Sequence, residues 1–214
     1  MRRQINGEAT LTQKQLISRI LEGERKLFHE LVRPYERAVF VTANAVLRNY
    51  ADAEEAAQET MLKALKHLNQ LEDPAKFKAW LLHIALNEAR LKRRSRHDAR
   101  FESLDQPVEH DDGFMPRDFA DWHEIPSETL ERKEIRQAIA RALEGLPEIY
   151  REIFMLRDVQ ELSILECCEM LQVSEEAVKV RLHRARLMIR EKLAPTFRKG
   201  WLNRLLPLRG IKPW

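Results

Sequence analysis

Apolar residues recur at three- and four-residue spacing through two long stretches, Thr12 to Arg94 and Ser127 to Leu193, and that order vanishes between Arg96 and Pro126. A period near 3.6 lines one face of a helix, so each stretch is expected to fold as helices packed on helices. The gap holds Pro107, Gly113, Pro116 and Pro126, and from Phe101 to Glu128 nine acids face one base, Arg117. Mutual repulsion and helix-breaking residues make this an extended linker. The expected fold is all-α: a helical domain over residues 1–96, an acidic flexible linker over 97–126, a second helical domain over 127–193 and a basic amphipathic tail over 194–214.

Composition narrows the class. Of 214 residues, 44% are hydrophobic and 33% charged, enough to build a core, and six glycines do not suggest a β-sandwich. Cys167 and Cys168 are adjacent and cannot form a disulfide framework. Met1 to Leu16 lacks the apolar stretch of a signal peptide, and no run suits a membrane span. A soluble, cytoplasmic protein is expected. The net charge of +3 hides a blocked pattern. Six bases meet two acids from Leu82 to Arg100, and six meet three from Ser174 to Lys192, on either side of the acidic linker. Such alternation in blocks suggests two basic modules separated by an acidic connector.

Within the first module, Thr12 to Gly23 reads as a short helix, a second begins near Glu24, and Pro34 opens a third. Asp52 begins a helix whose Ala53, Ala57, Thr60, Met61, Ala64 and Leu68 share a buried face, while Glu54, Glu55, Gln58 and Glu59 lie opposite. A long helix then runs from near Lys76 to Arg94. Phe77, Trp80, His83 and Asn87 lead along it into Lys92-Arg93-Arg94, an arrangement able to stack bases and hold a backbone. The same spacing of Phe77, Trp80, Leu81, Ile84 and Leu91 equally suits a core stripe.

In the second module, Ser163 and Glu166 have capping-box spacing, and Ile164, Cys167, Cys168 and Leu171 share a face. A turn, Leu171-Gln172-Val173, leads to Ser174 as a second N-cap, after which Val178, Leu182, Ala185 and Ile189 form a buried stripe. Short helix, tight turn and longer basic helix are the parts of a helix-turn-helix. Its exposed early turns carry Glu176, Lys179, Val180, His183 and Arg184 towards base edges, with Arg186 and Arg190 placed for phosphate. A solvated basic helix in a three-helix bundle would share this pattern.

These residues resemble a known family. Asp52-Ala53-Glu54-Glu55-Ala56-Ala57-Gln58-Glu59-Thr60 and Phe77-Lys78-Ala79-Trp80-Leu81-Leu82-His83-Ile84-Ala85-Leu86-Asn87 are similar to signatures of bacterial sigma factors. Leu146 to Phe154 and Val178 to Arg186 are similar to that family's C-terminal region. Two such regions with no large domain between them resemble the extracytoplasmic-function class.

The resemblance implies a transcription-initiation factor, not an enzyme, that binds core RNA polymerase and promoter DNA. It implies core docking through Asp52, Glu55, Gln58 and Glu59. The melted −10 element would be read through Trp80 and Asn87, with Arg90, Arg93 and Arg94 on its backbone and the loop from Gln70 to Ala75 forming a pocket for a flipped base. The duplex −35 element would be read through Glu176, Lys179, Val180, Arg181, Arg184 and Arg186. Gln172 stands where the family usually has Gly, which implies a looser or strained turn.

No cofactor and no metal site is expected, because the seven histidines are scattered without HExxH or CxxC spacing. The cysteine pair reads as core packing before redox switch. The tail, with Trp201, Leu202, Leu205, Leu206 and Trp214 among five bases, suits docking on its own second domain or on an anti-sigma partner ahead of a membrane surface, where contact would be indirect at most. The rival reading is a stand-alone helix-turn-helix regulator with an N-terminal sensor or dimerisation module.

Overall fold

The computed structural model describes residues 11–102 and 138–194, with side chains omitted for residues 97–102. Among the described residues there are helices and turns and no strand.

Chain-local signals set most helix starts. Thr12 caps α1 (Gln13–Leu21) in a full capping box with Gln15. After α2 (Phe28–Val32), the turn through Pro34 leads into α3 (Glu36–Leu47), which ends on Arg48 in left-handed backbone, φ 55°. The Asn49 side chain then accepts from the Asp52 amide at 2.9 Å and opens α4 (Tyr50–His67), two residues ahead of the expected start. Such caps contribute about 1 kcal/mol each.

Two short turns separate α4 from α5 (Phe77–Glu102). That helix runs past the expected end near Arg94 and past the boundary at residue 97. No Pro or Gly occurs between Phe77 and Pro107, so nothing local stops propagation from a well-packed first half. The remainder of the expected linker lies outside the described residues, as do the tail after residue 194 and the expected helix start at Ser127.

The first core forms where α3, α4 and α5 meet, with Val39, Phe40, Phe77, Leu81, Leu82 and Leu86 at most 1% exposed. The small Ala53, Ala57 and Ala64 let α4 approach closely. Helix α1 lies across one end. Gln13 Nε2 donates to the Pro74 carbonyl at 2.5 Å and its Oε1 accepts from the Tyr35 hydroxyl at 2.5 Å, which fixes the loop before α5.

The second core gathers α6 (residues 138–144), α7 (Glu148–Phe154), α8 (Ile164–Leu171) and α9 (Glu175–Leu193) around Ile153, Met155, Leu156, Cys167, Val178 and Ile189. Pro147 leads into α7 as expected, and the chain then widens into a π turn over Met155–Val159. Helices α7 and α3 pack together, so the two cores share one seam.

Candidate nucleic-acid and polymerase interface

The helix-turn-helix is built from two serine caps. Ser163 Oγ accepts from the Glu166 amide at 3.2 Å while Glu166 accepts from the Ser163 amide at 2.7 Å. Ser174 Oγ accepts from the Ala177 amide at 3.2 Å and starts α9. Between them Gln172 occupies left-handed backbone, φ 55° and ψ 47°, so the turn is as tight as a glycine would make it, with the strain carried by a side-chain-bearing residue.

Val178, Leu182, Ala185 and Ile189 are all buried, which turns the other face of α9 outward. Glu176, Lys179, Val180 and Arg184 are exposed there, and Arg181 is half-buried. Two contacts temper this face. Glu175 pairs with Lys179 at 2.7 Å and raises its pKa, and Arg184 Nη1 lies 3.4 Å from the Tyr150 hydroxyl. The Glu176 carboxyl is held below its usual range by its own backbone amide and by Ser174. Arg186 differs from its neighbours. It pairs with Asp158 at 2.6 Å and is only 18% exposed, so its charge ties α9 to the π turn instead of facing outward to phosphate.

Trp80 is half-buried, its ring centroid 5.9 Å from that of Phe77. It borders a cleft of about 240 Å³ with His83, Gln70, Glu72 and Asp73. Burial, aided by the Arg90 charge, holds the His83 imidazole below its usual pKa, against an upward pull from Glu169. Asn87 and Arg94 are exposed beside a shallow depression that Arg90 and Arg93 also border. Leu91, expected on a core stripe, is 52% exposed, because it lies on the opposite side of α5 from the face that buries Leu81, Leu82, Ala85, Leu86 and Ala89.

The acidic face of α4 splits in two. Asp52 pairs with Arg96 and with Lys92 at 3.6 Å, and Glu55 reaches Lys92 at 2.7 Å. These contacts staple α4 to the basic end of α5, and Asp52 is only 19% exposed. Gln58 and Glu59 point outward, with Glu59 3.8 Å from Lys63.

Sequence reasoning missed the acids that meet α5 across the seam. Arg90 Nη2 donates to Glu152 at 2.6 Å, and Arg93 pairs with Glu148. Glu148 and Glu152 stand four residues apart and so share a face, but nothing in their spacing names the helix opposite. Among the described residues no cluster of His, Cys, Asp or Glu suits a metal, and no helix is long and apolar enough to cross a membrane.

Residues 31–98 match the sigma-70 region 2 family and residues 136–189 match the sigma-70 region 4 family. The chain is 27% identical over 181 residues to the ECF RNA polymerase sigma factor SigW of Bacillus subtilis (strain 168), covering 84% of this chain and 96% of that one. It is 28% identical over 191 residues to the ECF RNA polymerase sigma-E factor of Escherichia coli (strain K12), covering 88% and 98%. Its fold is similar to that of the sigma factor RpoE in complex with the anti-sigma factor NepR from Bartonella quintana, with a TM-score of 0.62 at 23% identity over 78% of this chain and 96% of that one. CnrH in complex with the cytosolic domain of CnrY gives a TM-score of 0.55 at 25% identity over 85% and 97%.

Proposed function

The chain belongs to the extracytoplasmic-function class of sigma-70 factors, and from that premise we propose how its surfaces divide the work of starting transcription. As a sigma factor it binds core RNA polymerase and directs it to promoters. Its outward α9 face, Glu176, Lys179, Val180, Arg181 and Arg184, reads the −35 duplex in the major groove. The cleft beside Trp80 takes a base flipped from the melted −10 strand, with Asn87 hydrogen-bonding it and Arg90, Arg93 and Arg94 holding the backbone. Gln58 and Glu59, with Glu55 at their edge, dock on core polymerase, while Asp52 positions that face from behind by holding Lys92 and Arg96. The protein acts in the cytoplasm by binding alone and catalyses no reaction.

The observation that carries this reading is the orientation of α9: a buried stripe on one side and a contiguous polar, basic face on the other, fixed at its start by the Ser174 cap. The test is reconstitution, titrating the chain into bacterial core polymerase and following binding and promoter-dependent transcripts together. Tight core binding with new specific transcripts is the expected result. A folded chain that ignores core and binds symmetric DNA sites as a dimer would overturn it in favour of a stand-alone regulator.

A further inference from the structure

We propose that the C-terminal tail folds back on its own chain and docks residues 198–206 in an apolar groove between α3 and α6. The groove has a volume of about 460 Å³. Ala38 and Val41 line it from α3, Ile139 and Leu143 from α6, and Val159 from the π turn. Val159 remains 39% exposed there. Apolar surface left open in a concavity of this size marks a docking site. The groove is formed before anything enters it. Gln160, 5% exposed, donates from Nε2 to the Ala38 carbonyl at 3.5 Å and accepts from Lys78 Nζ on its own carbonyl at 2.5 Å.

The chain leaves the described residues within reach of this groove. Helix α9 ends with Leu193 only 2% exposed, and Lys192 lies against Gly145, where an added Cβ would stand 2.4 Å from Nζ. Gly145 is two residues from Leu143, a backbone path of at most about 8 Å. The seven residues from Pro195 to Trp201 span up to about 25 Å, enough to cover that path with the Lys192 side chain added.

The tail sequence suits the groove. Trp201, Leu202, Leu205 and Leu206 are spaced to share one face of a helix, with Asn203 and Arg204 on the other, between Gly200 and Pro207. Such a face offers one aromatic and three leucines to a concavity lined by aliphatic side chains, the way an amphipathic helix fills a groove.

Charge argues that the contact is apolar. The tail from Pro195 onward carries five bases and no acid. Asp158 is the only acid lining the groove, and Arg186 already holds it. The bases therefore stay at the rim in water while the apolar face enters. A docked tail excludes any other helix from this groove, so whatever binds there must first displace it.

Photo-crosslinking in the full chain tests this. Val159→p-benzoylphenylalanine places a probe on the groove, and Arg37→p-benzoylphenylalanine places one on the α3 side in case the first distorts the π turn. Irradiation joins each probe to the C–H groups it touches, and mass spectrometry of the digest locates the joined peptide. Both probes are expected to capture residues 198–206 in a product of monomer mass, with yields unchanged between about 0.1 and 0.5 M salt. Adding Trp201→Glu and Leu205→Glu should cut the yield about tenfold, the factor for about 1.4 kcal/mol. The same probe at Leu62, 64% exposed on α4, should not capture the tail.

Equal capture at Leu62 would mean that the tail samples the whole surface, and a product of doubled mass would give the groove to a second copy. A yield that falls steeply with salt would make the contact ionic. No capture from either side of the groove would leave it to a partner helix. Each of these results would overturn the docking.

Discussion

The Arg186 guanidinium closes on the Asp158 carboxylate through two bonds, Nε to Oδ2 at 2.7 Å and Nη2 to Oδ1 at 2.6 Å, with the side chains 18% and 15% exposed. The pair joins the middle of α9 to the π turn that precedes α8, so it anchors the helix within its own domain. The hydrogen bond to Asp158 is the main cause of the raised Arg186 pKa.

Asp158→Ala leaves that guanidinium largely buried without its partner. The second domain is expected to lose about 2 kcal/mol, within the range for charge-assisted bonds. Urea titration followed by circular dichroism measures it. A loss under about 0.5 kcal/mol, the size of an ordinary surface change, would mean that the pair does not order α9.

Arg184 sits two residues earlier on the exposed side of the same helix and has only a long contact to Tyr150. Arg184→Ala is expected to leave stability within about 0.5 kcal/mol and to cost about 1–3 kcal/mol of holoenzyme binding to −35 duplex. Arg186→Ala is expected to do the reverse. Filter binding at fixed salt, paired with thermal melts, separates them. Equal effects on both readouts would erase the distinction between the two arginines.

How much of this was legible follows from sequence distance. The Ser163 and Ser174 caps and the stripe from Val178 to Ile189 are local, and the structure places them as the spacing predicts. Arg186 was not legible. It occupies a helical position as basic as Arg184, and the acid that claims it lies 28 residues away. The basic run from Lys92 to Arg96 reads as a free cationic end, yet Asp52 and Glu55 on α4 take two of its members. The seam was invisible for the same reason: Glu152 meets Arg90 across 62 residues, and periodicity reports that a face exists without saying what covers it.

Arg151 is 7% exposed, and burial, with Arg48 adding, lowers its pKa to about 10. The sign is that of a depressed cation. Its stabilising contribution is present only in strongly alkaline solution, above the ordinary arginine range, and is lost as pH falls through about 10, so at neutral pH its burial is a net cost. Arg151→Met keeps the volume and removes that cost. A gain of about 1–2 kcal/mol at pH 7 is expected from urea titration. Loss of stability instead would mean that the Arg151 charge holds Glu148 and Glu152 in place.

Cys167 is fully buried, and burial pushes its thiol up to about 12 from 9.0. A raised folded pKa gives stability that is present below pH 9 and is lost as pH climbs towards 12. Between pH 7.5 and 10 the wild type is expected to lose about 1 kcal/mol that Cys167→Ala does not lose. Urea titrations at both pH values test this. Equal losses in the two proteins would place the alkaline sensitivity on another group. Iodoacetamide at pH 8 should label the half-buried Cys168 first.

Gln172 holds left-handed backbone between α8 and α9 and is exposed, its Nε2 donating to the Glu169 carbonyl at 2.6 Å. A side chain costs about 1 kcal/mol in that conformation, and a β-branched one costs more. Glycine removes the strain but gives up the exposed hydrogen bond and adds unfolded-state entropy. Gln172→Gly is therefore expected to gain only about 0.5 kcal/mol, and Gln172→Val to lose about 1 kcal/mol. Thermal melts should rank them Gly, Gln, Val. Because the backbone path is unchanged, −35 affinity should hold in the glycine variant. A reversed ranking would mean that the turn follows another path in solution, and with it that α9 meets DNA at a different angle.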